Sequence, residues 1–284
     1  MGFKNYIFGW KNFGIKRSDL VFEVGSGNRP FARSDVLCDL GEYGQDTRYI
    51  GNALSGVVID RPFVIGDAQR LPFRDNSFDY LIAAHILEHL EQPAPFLREV
   101  CRVSQRGCII TPSEIFEKIF DEPSHFWYIS VVDSTLRIQS KMPEDRCRFG
   151  DIFRKLWAEN YHLRKFLAER TDVFEICHYY ENGRIDFEID GNVSHQHNIE
   201  SDDGEENRSF TRRFLTSKIR SALGKGVRLF ASEKKVDFNT LLACPLCRED
   251  AIVVDNSYIR CLGCSKRYPL KDSHIPVMIV SEAF

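Results

Sequence analysis

The stretch VFEVGSGNRPF, Val21 to Phe31, joins a short apolar run to a turn that contains two glycines and follows one embedded carboxylate, Glu23. The apolar run predicts a buried β-strand, and glycines directly after it let a ligand approach the backbone. A dinucleotide-binding turn uses a third glycine where this chain has Pro30, because that glycine packs a following helix. Only about ten residues separate this strand from the next apolar run, too few for a full crossover helix. A pyrophosphate site is therefore not expected at this turn.

Further apolar runs follow as far as residue 112, and they alternate with polar or helical stretches. The strand candidates are LVFEV, DVLCDL, PFVIGD, FDYLIAA and GCIITP, and PAPFLREVCRV is the clearest helix between them. Near-continuous apolar strands alternating with helices are typical of a mostly parallel sheet covered on both faces. The sequence therefore predicts an α/β, Rossmann-like fold.

Two later segments predict antiparallel pairing. Residues 125–141, HFWYISVVDSTLRIQSK, indicate a hairpin, which is followed by a helical segment rich in aromatic residues. Residues 174–190 contain two strand-like runs joined through Asn182 and Gly183, a strong signal for a tight hairpin. We expect this second hairpin to form an antiparallel edge of the sheet.

Carboxylates lie in or at the end of the first three predicted strands: Glu23 in the first, Asp39 ending the second and Asp67 ending the third. Because the carboxyl ends of neighbouring parallel strands line one edge of a sheet, these acids should converge beside Gly25 and Gly27. They suit a ligand with an amino-acid end and a nucleoside end. Glu23 would accept from an ammonium, Asp39 from ribose hydroxyls and Asp67 from the exocyclic amine of an adenine. Taken singly, each residue could instead fix or cap a turn.

The ordered set of segments resembles the class I S-adenosylmethionine-dependent methyltransferases. The resemblance rests on VFEVGSGNRP, DVLCDL and the run VIGDAQRLPFRDNSFDYLIAAHILEHLEQPAPFLREVCRVSQRGCIITPSE, and it covers roughly residues 20 to 114. It implies S-adenosylmethionine as the cofactor. By this resemblance the cofactor-binding positions are Glu23, Gly25, Gly27, Asp39, Asp67, Ala68 and His85. The short first connection departs from the family pattern, so the helix that normally follows the glycine turn should be a single turn or absent.

A general base is needed when the methyl acceptor is a hydroxyl, and histidine is well suited to that role. The polar candidates that follow the fourth and fifth strands are His85, Glu88, His89, Glu114 and His125. The segment HILEHL would place His85 and His89 on one face if it is helical. We predict His89 or His125 as the catalytic base, although His89 could equally be hydrogen-bonded in a loop, and the aromatic residues around His125 could equally form a corner of the core.

Four of the nine cysteines form two close pairs, CPLC and CLGC, near the C-terminus. Two such knuckles can supply four thiolates to a tetrahedral Zn²⁺. The metal ligands are then Cys244, Cys247, Cys261 and Cys264. Since four thiolates leave no open coordination position, the predicted zinc is structural. The remaining cysteines stand singly in apolar contexts and are interpreted as reduced core residues.

The C-terminal runs LLACPLC, CLGCSKRYPL and IPVMIV resemble the small zinc-ribbon subunit that binds and activates several RNA and protein methyltransferases. The resemblance implies that the ribbon, fused here in cis, packs on its own methyltransferase domain. We expect a class I methyltransferase domain at 1–195, an acidic loop with a basic amphipathic helix at 196–237, and a zinc ribbon at 238–284. The basic helix is expected to pack on its own domain or to neutralise the acidic loop, rather than to bind a membrane or RNA.

Composition narrows the function further. A net charge of −3 gives no attraction of the whole molecule to nucleic acid or anionic membranes. The apolar runs are too short for a membrane span, and the first residues lack a signal peptide's apolar centre, so a cytoplasmic location is expected.

The leading prediction is an S-adenosylmethionine-dependent methyltransferase that acts on a small-molecule or carbohydrate-like hydroxyl. The alternatives are an RNA (tRNA) or protein methyltransferase, and a non-catalytic scaffold that binds the cofactor.

Overall fold

The structure, a computed structural model, describes residues 12–27, 30–40, 59–193, 210–233, 237–250, 252–255, 257–272 and 274–284. The strands are β1 (Val21–Val24), β2 (Val36–Asp39), β3 (Phe63–Gly66), β4 (Tyr80–Ala84), β5 (Gly107–Pro112), β6 (Trp127–Val132), β7 (Thr135–Ser140), β8 (Glu175–Tyr180), β9 (Phe187–Asp190), β10 (Ile252–Val254), β11 (Tyr258–Cys261), β12 (Arg267–Lys271) and β13 (Ile275–Met278). The helices are α1 (Pro93–Val103), α2 (Glu114–Phe120), α3 (Gly150–Glu159), α4 (Tyr161–Glu169), α5 (Thr171–Phe174) and α6 (Phe210–Ala231). Short 3₁₀ turns lie at Leu87–His89, Pro143–Asp145, Phe238–Leu241 and Val280–Glu282.

The larger sheet has the order β10-β11-β12-β13-β3-β2-β1-β4-β5-β8. The central strands, from β13 through β3, β2, β1 and β4 to β5, are all parallel to their neighbours. The edge strand β8 runs antiparallel to β5. This arrangement confirms the predicted mostly parallel α/β sheet with an antiparallel edge. Strands β2 and β3 lie on one side of β1, and β4 and β5 lie on the other side. The strand order therefore reverses between β1 and β4.

Packing of α1 on the sheet follows its apolar face. Phe96, Val100 and Val103 are fully buried, as their helical spacing predicts. Pro93 occupies the first turn, where a missing backbone N–H removes no helical hydrogen bond. Beneath the helix, the ring of Phe22 on β1 lies against the ring of Phe78, with the centroids 4.5 Å apart. The predicted helix is therefore confirmed from end to end.

The connection from β1 to β2 contains no helix among its described residues, which exclude positions 28 and 29. A buried arginine organises this short connection instead. Arg33 donates to the carboxylate of Asp35 at 2.6 Å and to the carbonyl of Asp19 at 2.6 Å. The prediction of a reduced or missing first crossover helix agrees with the described part of this segment.

Residues 127–140 form the predicted hairpin of β6 and β7. The second predicted hairpin is only partly correct. Asn182 and Gly183 adopt left-handed backbone conformations, with φ of +57° and +61°, and the bridge Glu181↔Arg184 closes the turn. Beyond that bridge β9 leaves β8 and pairs in parallel with β7, in a separate three-stranded sheet. Its apolar residues Phe187 and Ile189 lie opposite Leu136 and Ile138, which are buried, so tertiary packing overrides the local hairpin.

The C-terminal strands extend the same large sheet. β10 to β13 form an antiparallel meander, and β13 then pairs in parallel with β3, with Val277 opposite Ile65 and Met278 opposite Gly66. The two strands share one apolar cluster. Its buried members are Leu37, Phe63, Ile65, Ile275, Val277 and Ile279. Strand β3 is therefore an interior strand of this sheet and not an edge.

Helix α6 confirms the predicted helical segment but not its apolar face. Ser221 and Arg228 bond to Oδ2 of Asp60, at 2.8 and 3.0 Å, so a polar face meets the domain. Ile219 and Leu223, two apolar residues of this helix that was predicted to be amphipathic, are exposed. The predicted acidic loop lies mostly outside the described residues, in 194–209. No helix in the described part of the chain is both long enough and apolar enough to cross a membrane.

Candidate active site

The crevice where the strand order reverses, between β1 and β4, is the expected ligand site of an open parallel sheet. Gly25 follows β1 at this position with φ of +70°, a conformation that favours glycine. A Cβ atom added to Gly25 would lie 2.4 Å from Cδ1 of Ile86, which follows β4. The glycine turn therefore packs directly against the segment that follows β4.

Glu23 anchors its own turn. Its Oε2 accepts hydrogen bonds from the backbone N–H of Phe31, at 2.7 Å, and from the hydroxyl of Ser34, at 2.6 Å. Burial raises the pKa of Glu23 to about 7, although the bonds from Ser34 and Phe31 and the charge of Arg61 act in the opposite direction. The structure thus gives this acid a role in holding the loop, which the sequence prediction of an ammonium-binding carboxylate did not include.

Asp39 and Asp67 lie at the ends of the adjacent strands β2 and β3. Oδ2 of Asp39 accepts from the backbone N–H of Gly27, at 2.8 Å, and so ties the second strand to the glycine turn. Oδ1 of Asp67 accepts from the backbone N–H of Gln69, at 2.8 Å, in a tight turn. Ala68 is partly buried against the main core. The residues 41–58 that follow β2 lie outside the described part of the chain.

A cleft of about 290 Å³ opens beside Asp67. One wall comes from Asp67 and Arg70, and the other comes from Pro245 and the 278–281 segment of the C-terminal region. Sequence reasoning missed this contribution, because about 200 residues separate the two walls, and long-range pairings such as that of β13 with β3 bring them together.

His85 follows β4 with φ of +56° and forms a pair with two acids. Its Nδ1 lies 3.3 Å from Oε1 of Glu88, and its Nε2 lies 3.8 Å from Oε1 of Glu175. Burial lowers the pKa of His85, but the hydrogen bond to Glu88 and the charges of both acids outweigh this and raise it. The 87–89 segment is a single 3₁₀ turn, so His85 and His89 do not share the face of an α-helix.

The structure brings together the two histidines that the sequence nominates as bases. The ring centroids of His89 and His125 are 4.5 Å apart, with the ring planes at 79°. Their segments meet because the backbone N–H of Phe126 donates to the carbonyl of Glu88, at 2.8 Å. Burial is the main cause that lowers the pKa of His89, and the charge of His125 lowers it further.

A cluster of buried charged side chains holds His125, and the sequence analysis did not predict it. Oε1 of Glu117 lies 2.5 Å from Nδ1 of His125, and Oε2 of the same carboxylate lies 2.5 Å from Nζ of Lys141. Asp121 lies 3.7 Å from the same ammonium. The feature of the sequence that could have indicated burial of Glu117 is its position on the same helix face as the apolar residue Phe120, three positions later. Glu114, another nominated acid, instead pairs with Lys118 at the surface of α2.

The four predicted metal ligands form one cluster, with all four Sγ atoms within 4.8 Å of one another. Two of the separations are 3.7 Å, between Cys244 and Cys264, and 3.4 Å, between Cys247 and Cys261. A tetrahedral zinc with Zn–S bonds of about 2.3 Å places its sulfurs about 3.8 Å apart. The four thiols therefore fit a zinc ion.

The backbone of each cysteine pair has the same shape. Arg248 and Ser265, the residues directly after the second cysteine of each pair, adopt left-handed conformations with φ of +67° and +61°. In the second pair the backbone N–H of Cys264 donates to Sγ of Cys261, at 3.5 Å. Two matching knuckles that turn their sulfurs to one point are the arrangement a chelated tetrahedral ion requires.

Comparison with known proteins bears on this site. Residues 39–111, about a quarter of the chain, match the family model described as "Methyltransferase domain". The matched span begins at Asp39 and includes Asp67, Ala68, His85 and His89. It does not include Glu23, the glycine turn, His125 or the cysteine cluster.

Curated relatives are methyltransferases. The chain is 27% identical over 162 residues to a demethylmenaquinone methyltransferase of Corynebacterium efficiens, a match that covers 53% of this chain and 66% of the relative. It is 36% identical over 58 residues to an ajmaline N-methyltransferase of Rauvolfia serpentina, over 20% of each protein. The chain therefore spans just under two thirds of the length of the first of these relatives and a fifth of the second.

Solved structures of methyltransferases are similar only at a distance. An S-adenosylmethionine-dependent methyltransferase from Mesorhizobium loti shares 12% identity at a TM-score of 0.33, over 59% of this chain and 93% of that one. One from Methanosarcina mazei shares 14% identity at a TM-score of 0.30, over 43% of this chain and 70% of that one.

Proposed function

We propose that this protein is an S-adenosylmethionine-dependent methyltransferase that transfers a methyl group to a hydroxyl of a small or carbohydrate-like molecule. The observation that carries the proposal is the position of Gly25, Asp39 and Asp67. They follow three adjacent parallel strands, and Gly25 lies where the strand order reverses. The methyltransferase-domain match over 39–111 supports the reaction type. The demethylmenaquinone methyltransferase relatives favour a small-molecule acceptor.

The residues that would hold the cofactor are Glu23, Gly25, Gly27, Asp39, Asp67, Ala68 and His85. Gly25 itself presents only backbone to the crevice, and the side chain of Ile86 lies where a Cβ atom on Gly25 would be. Asp39 and Asp67 offer carboxylate oxygens at the next two strand ends, where nucleoside donors would need acceptors. When bound, S-adenosylmethionine supplies an electrophilic methyl carbon on a sulfonium.

The residues on the acceptor side are His89 and His125. Ile86 follows β4 and precedes His89 by three positions, so we expect the histidine pair on the β4 side of the crevice. A hydroxyl bound there would pass its proton to a ring nitrogen. The ring of His125 is oriented by Glu117, whose other oxygen is bonded to Lys141.

We further propose that Cys244, Cys247, Cys261 and Cys264 bind a structural zinc. Zinc would fix the two knuckles relative to each other and so position the meander that ends in β13. Because β13 pairs with β3 directly before Asp67, the ion would stabilise one wall of the cleft beside that acid. In this account the 1–195 segment is the catalytic domain, 196–237 a linker and 238–284 a zinc ribbon in cis.

A methyl-transfer screen tests the proposed activity. The zinc-replete full chain is incubated with S-adenosylmethionine carrying a labelled methyl group and with small-molecule, glycan and nucleic-acid fractions. Label in a small-molecule or glycan fraction is expected, and at a cofactor concentration below saturation it should be reduced in Asp67→Asn. Label confined to the nucleic-acid fraction would overturn the hydroxyl acceptor proposed here. If the protein binds the cofactor but labels no fraction, the result would favour a non-catalytic scaffold.

The second candidate is an RNA (tRNA) or protein methyltransferase, and one observation favours it. The cysteine-rich segment adds a parallel strand to β3, and its sequence resembles an activating subunit of such enzymes. This candidate predicts a tRNA complex whose affinity falls steeply with salt, because phosphate contacts release counterions. A salt-independent or absent shift of tRNA in an electrophoretic assay would remove the RNA version of this candidate.

A further inference from the structure

Glu88, His89 and His125 bring three potential metal-ligand atoms within 4.8 Å of one another, well apart in sequence from the cysteine cluster. Glu88 and His89 belong to the 3₁₀ turn after β4, and His125 lies two residues before β6. Two imidazole nitrogens and one carboxylate oxygen are a donor set that divalent first-row transition metals accept. Three protein ligands leave coordination positions open, unlike the four thiolates of the ribbon.

The protonation of both rings follows from their partners. Nδ1 of His89 lies 3.0 Å from the carbonyl oxygen of Ser124, which can only accept, so this nitrogen carries the proton. Nδ1 of His125 faces Glu117, whose other oxygen pairs with the buried ammonium of Lys141. That carboxylate is held as an acceptor, so Nδ1 of His125 also donates. In each neutral ring the lone pair is then on Nε2.

Such bonds are characteristic of metal-binding histidines. A metal-ligating imidazole almost always donates its other N–H to a carboxylate or a backbone carbonyl, which fixes the tautomer and the orientation of the ring. Here one ring has a carbonyl partner, from Ser124, and the other has a carboxylate partner, Glu117. Both histidines therefore have the kind of supporting hydrogen bond that a metal-ligating imidazole has.

Glu88 provides an independent observation. Its side chain is 1% exposed, and Oε1 lies 3.3 Å from Nδ1 of His85. Oε2 has no hydrogen-bond partner among the described residues, although it is fully buried. Burying a carboxylate oxygen without a partner costs free energy equal to a large fraction of a folded protein's net stability. A cation shared with the two histidines would satisfy this oxygen.

We propose that Glu88, His89 and His125 bind a divalent transition-metal cation with open coordination positions on the acceptor side of the crevice. Ligand bonds of about 2.0–2.2 Å require the three atoms to close slightly around the ion. Binding of the cation does not depend on methyl transfer. Its role does rest on the proposed function: the ion would bind the acceptor hydroxyl and lower its pKa, so that the proton is released to water, and His89 and His125 would then be ligands and not bases.

Mn²⁺ is the probe for this site, because its paramagnetism reports binding and its preference for oxygen and nitrogen donors keeps it out of a Cys₄ site filled with zinc. The zinc-replete full chain is titrated with Mn²⁺ and followed by electron spin resonance. We expect one bound Mn²⁺ per chain, with spin-echo modulation from imidazole nitrogen. Glu88→Gln and His125→Asn should abolish this site, and Glu117→Gln should weaken it by roughly 10- to 100-fold.

Matched controls are Glu91→Gln, an exposed acid two residues after His89, and His162→Asn, an exposed histidine on α4. Both should bind Mn²⁺ as the parent protein does. Absence of a bound ion in the parent protein, or binding without nitrogen modulation, overturns the proposal even if the ligand variants fail to fold. Mn²⁺ binding without cofactor binding would support the metal site and contradict the proposed function. Cofactor binding without Mn²⁺ binding would support the proposed function and contradict the metal site.

Discussion

Arg248, the residue after the first cysteine pair, donates to both carboxylate oxygens of Glu99 on α1, at 2.8 and 2.9 Å. Glu99 is buried, and it also accepts from Arg102 and from the backbone N–H of Leu71. Arg248 has a left-handed backbone conformation, and its guanidinium reaches Glu99 on α1. The geometry of the cysteine cluster and the docking of the C-terminal segment are thus coupled through one side chain.

Arg248→Ala should reduce the free energy of unfolding by about 1–2 kcal/mol. A hydrogen bond to a charged group contributes about 1.5–3 kcal/mol, and the partial exposure of Arg248 lowers that value. Urea unfolding followed by circular dichroism measures the change. Arg260→Ala, at an exposed position of β11, is the control and should change stability by less than about 0.5 kcal/mol. Equal stability of the two variants would show that the ion pair contributes nothing to docking.

Gly25→Ala and Gly27→Ala form a matched pair of variants. Both glycines have positive φ, so either alanine is strained by about 1 kcal/mol. At Gly27 nothing lies within 4 Å of an added Cβ, whereas at Gly25 the added atom meets Ile86. We expect Gly25→Ala to displace the segment after β4, to destabilise the protein more than Gly27→Ala and to abolish cofactor binding. Unfolding and binding measurements on both variants would reveal whether the order is reversed.

Glu23 should make stability depend on pH. Burial raises its pKa in the folded protein to about 7, from an ordinary value of 4.5. Between these pH values the folded state holds a proton that the unfolded chain has lost. The contribution of protonated Glu23 to the free energy of unfolding is therefore fully present below pH 4.5 and decreases as the pH rises towards 7. The loss is at most about 3 kcal/mol, since each pKa unit corresponds to about 1.4 kcal/mol.

Glu23→Gln removes this titration. The free energy of unfolding of the parent protein, relative to that of Glu23→Gln, should therefore fall by up to about 3 kcal/mol between pH 4.5 and pH 8. Urea titrations at a series of pH values measure it, with Glu91→Gln, an exposed acid, as the control. A constant difference across this range would contradict the raised pKa.

The cysteine cluster should contain one zinc per chain by elemental analysis. Cys247→Ser removes one ligand, so we expect loss of zinc, a lower Tm and weaker cofactor binding, because β13 supports the cleft beside Asp67. Cys147→Ser, at a cysteine outside the cluster, should retain zinc and Tm. A folded, fully stable C-terminal segment after chelation would show that the thiols need no metal.

Much of the central sheet could be predicted from the sequence because local and tertiary preferences agree there. The continuous apolar runs of β1 to β5 are buried on both faces, and α1 has a single apolar face. The mostly parallel order follows from the alternation of these elements. The proximity of the four cysteines likewise follows from spacing, since each CxxC pair is a local unit.

Other features depend on contacts between distant segments. β9 leaves the hairpin because β7 offers buried apolar partners, which no local signal in residues 174–190 reveals. The Glu117–Lys141 pair joins positions that are 24 residues apart, across α2 and the β6–β7 hairpin. The parallel pairing of β13 with β3, which turns β3 into an interior strand, places the second wall of the cleft beside Asp67.

The most direct test of the central claim is calorimetric titration of the zinc-replete full chain with S-adenosylhomocysteine. We predict binding of one molecule per chain. Asp67→Asn keeps an oxygen for the N–H of Gln69 but loses an acceptor for the adenine amine, and it should bind roughly tenfold more weakly, or about 1–2 kcal/mol. Absence of binding by the folded parent protein, or equal binding by Asp67→Asn, would contradict the account.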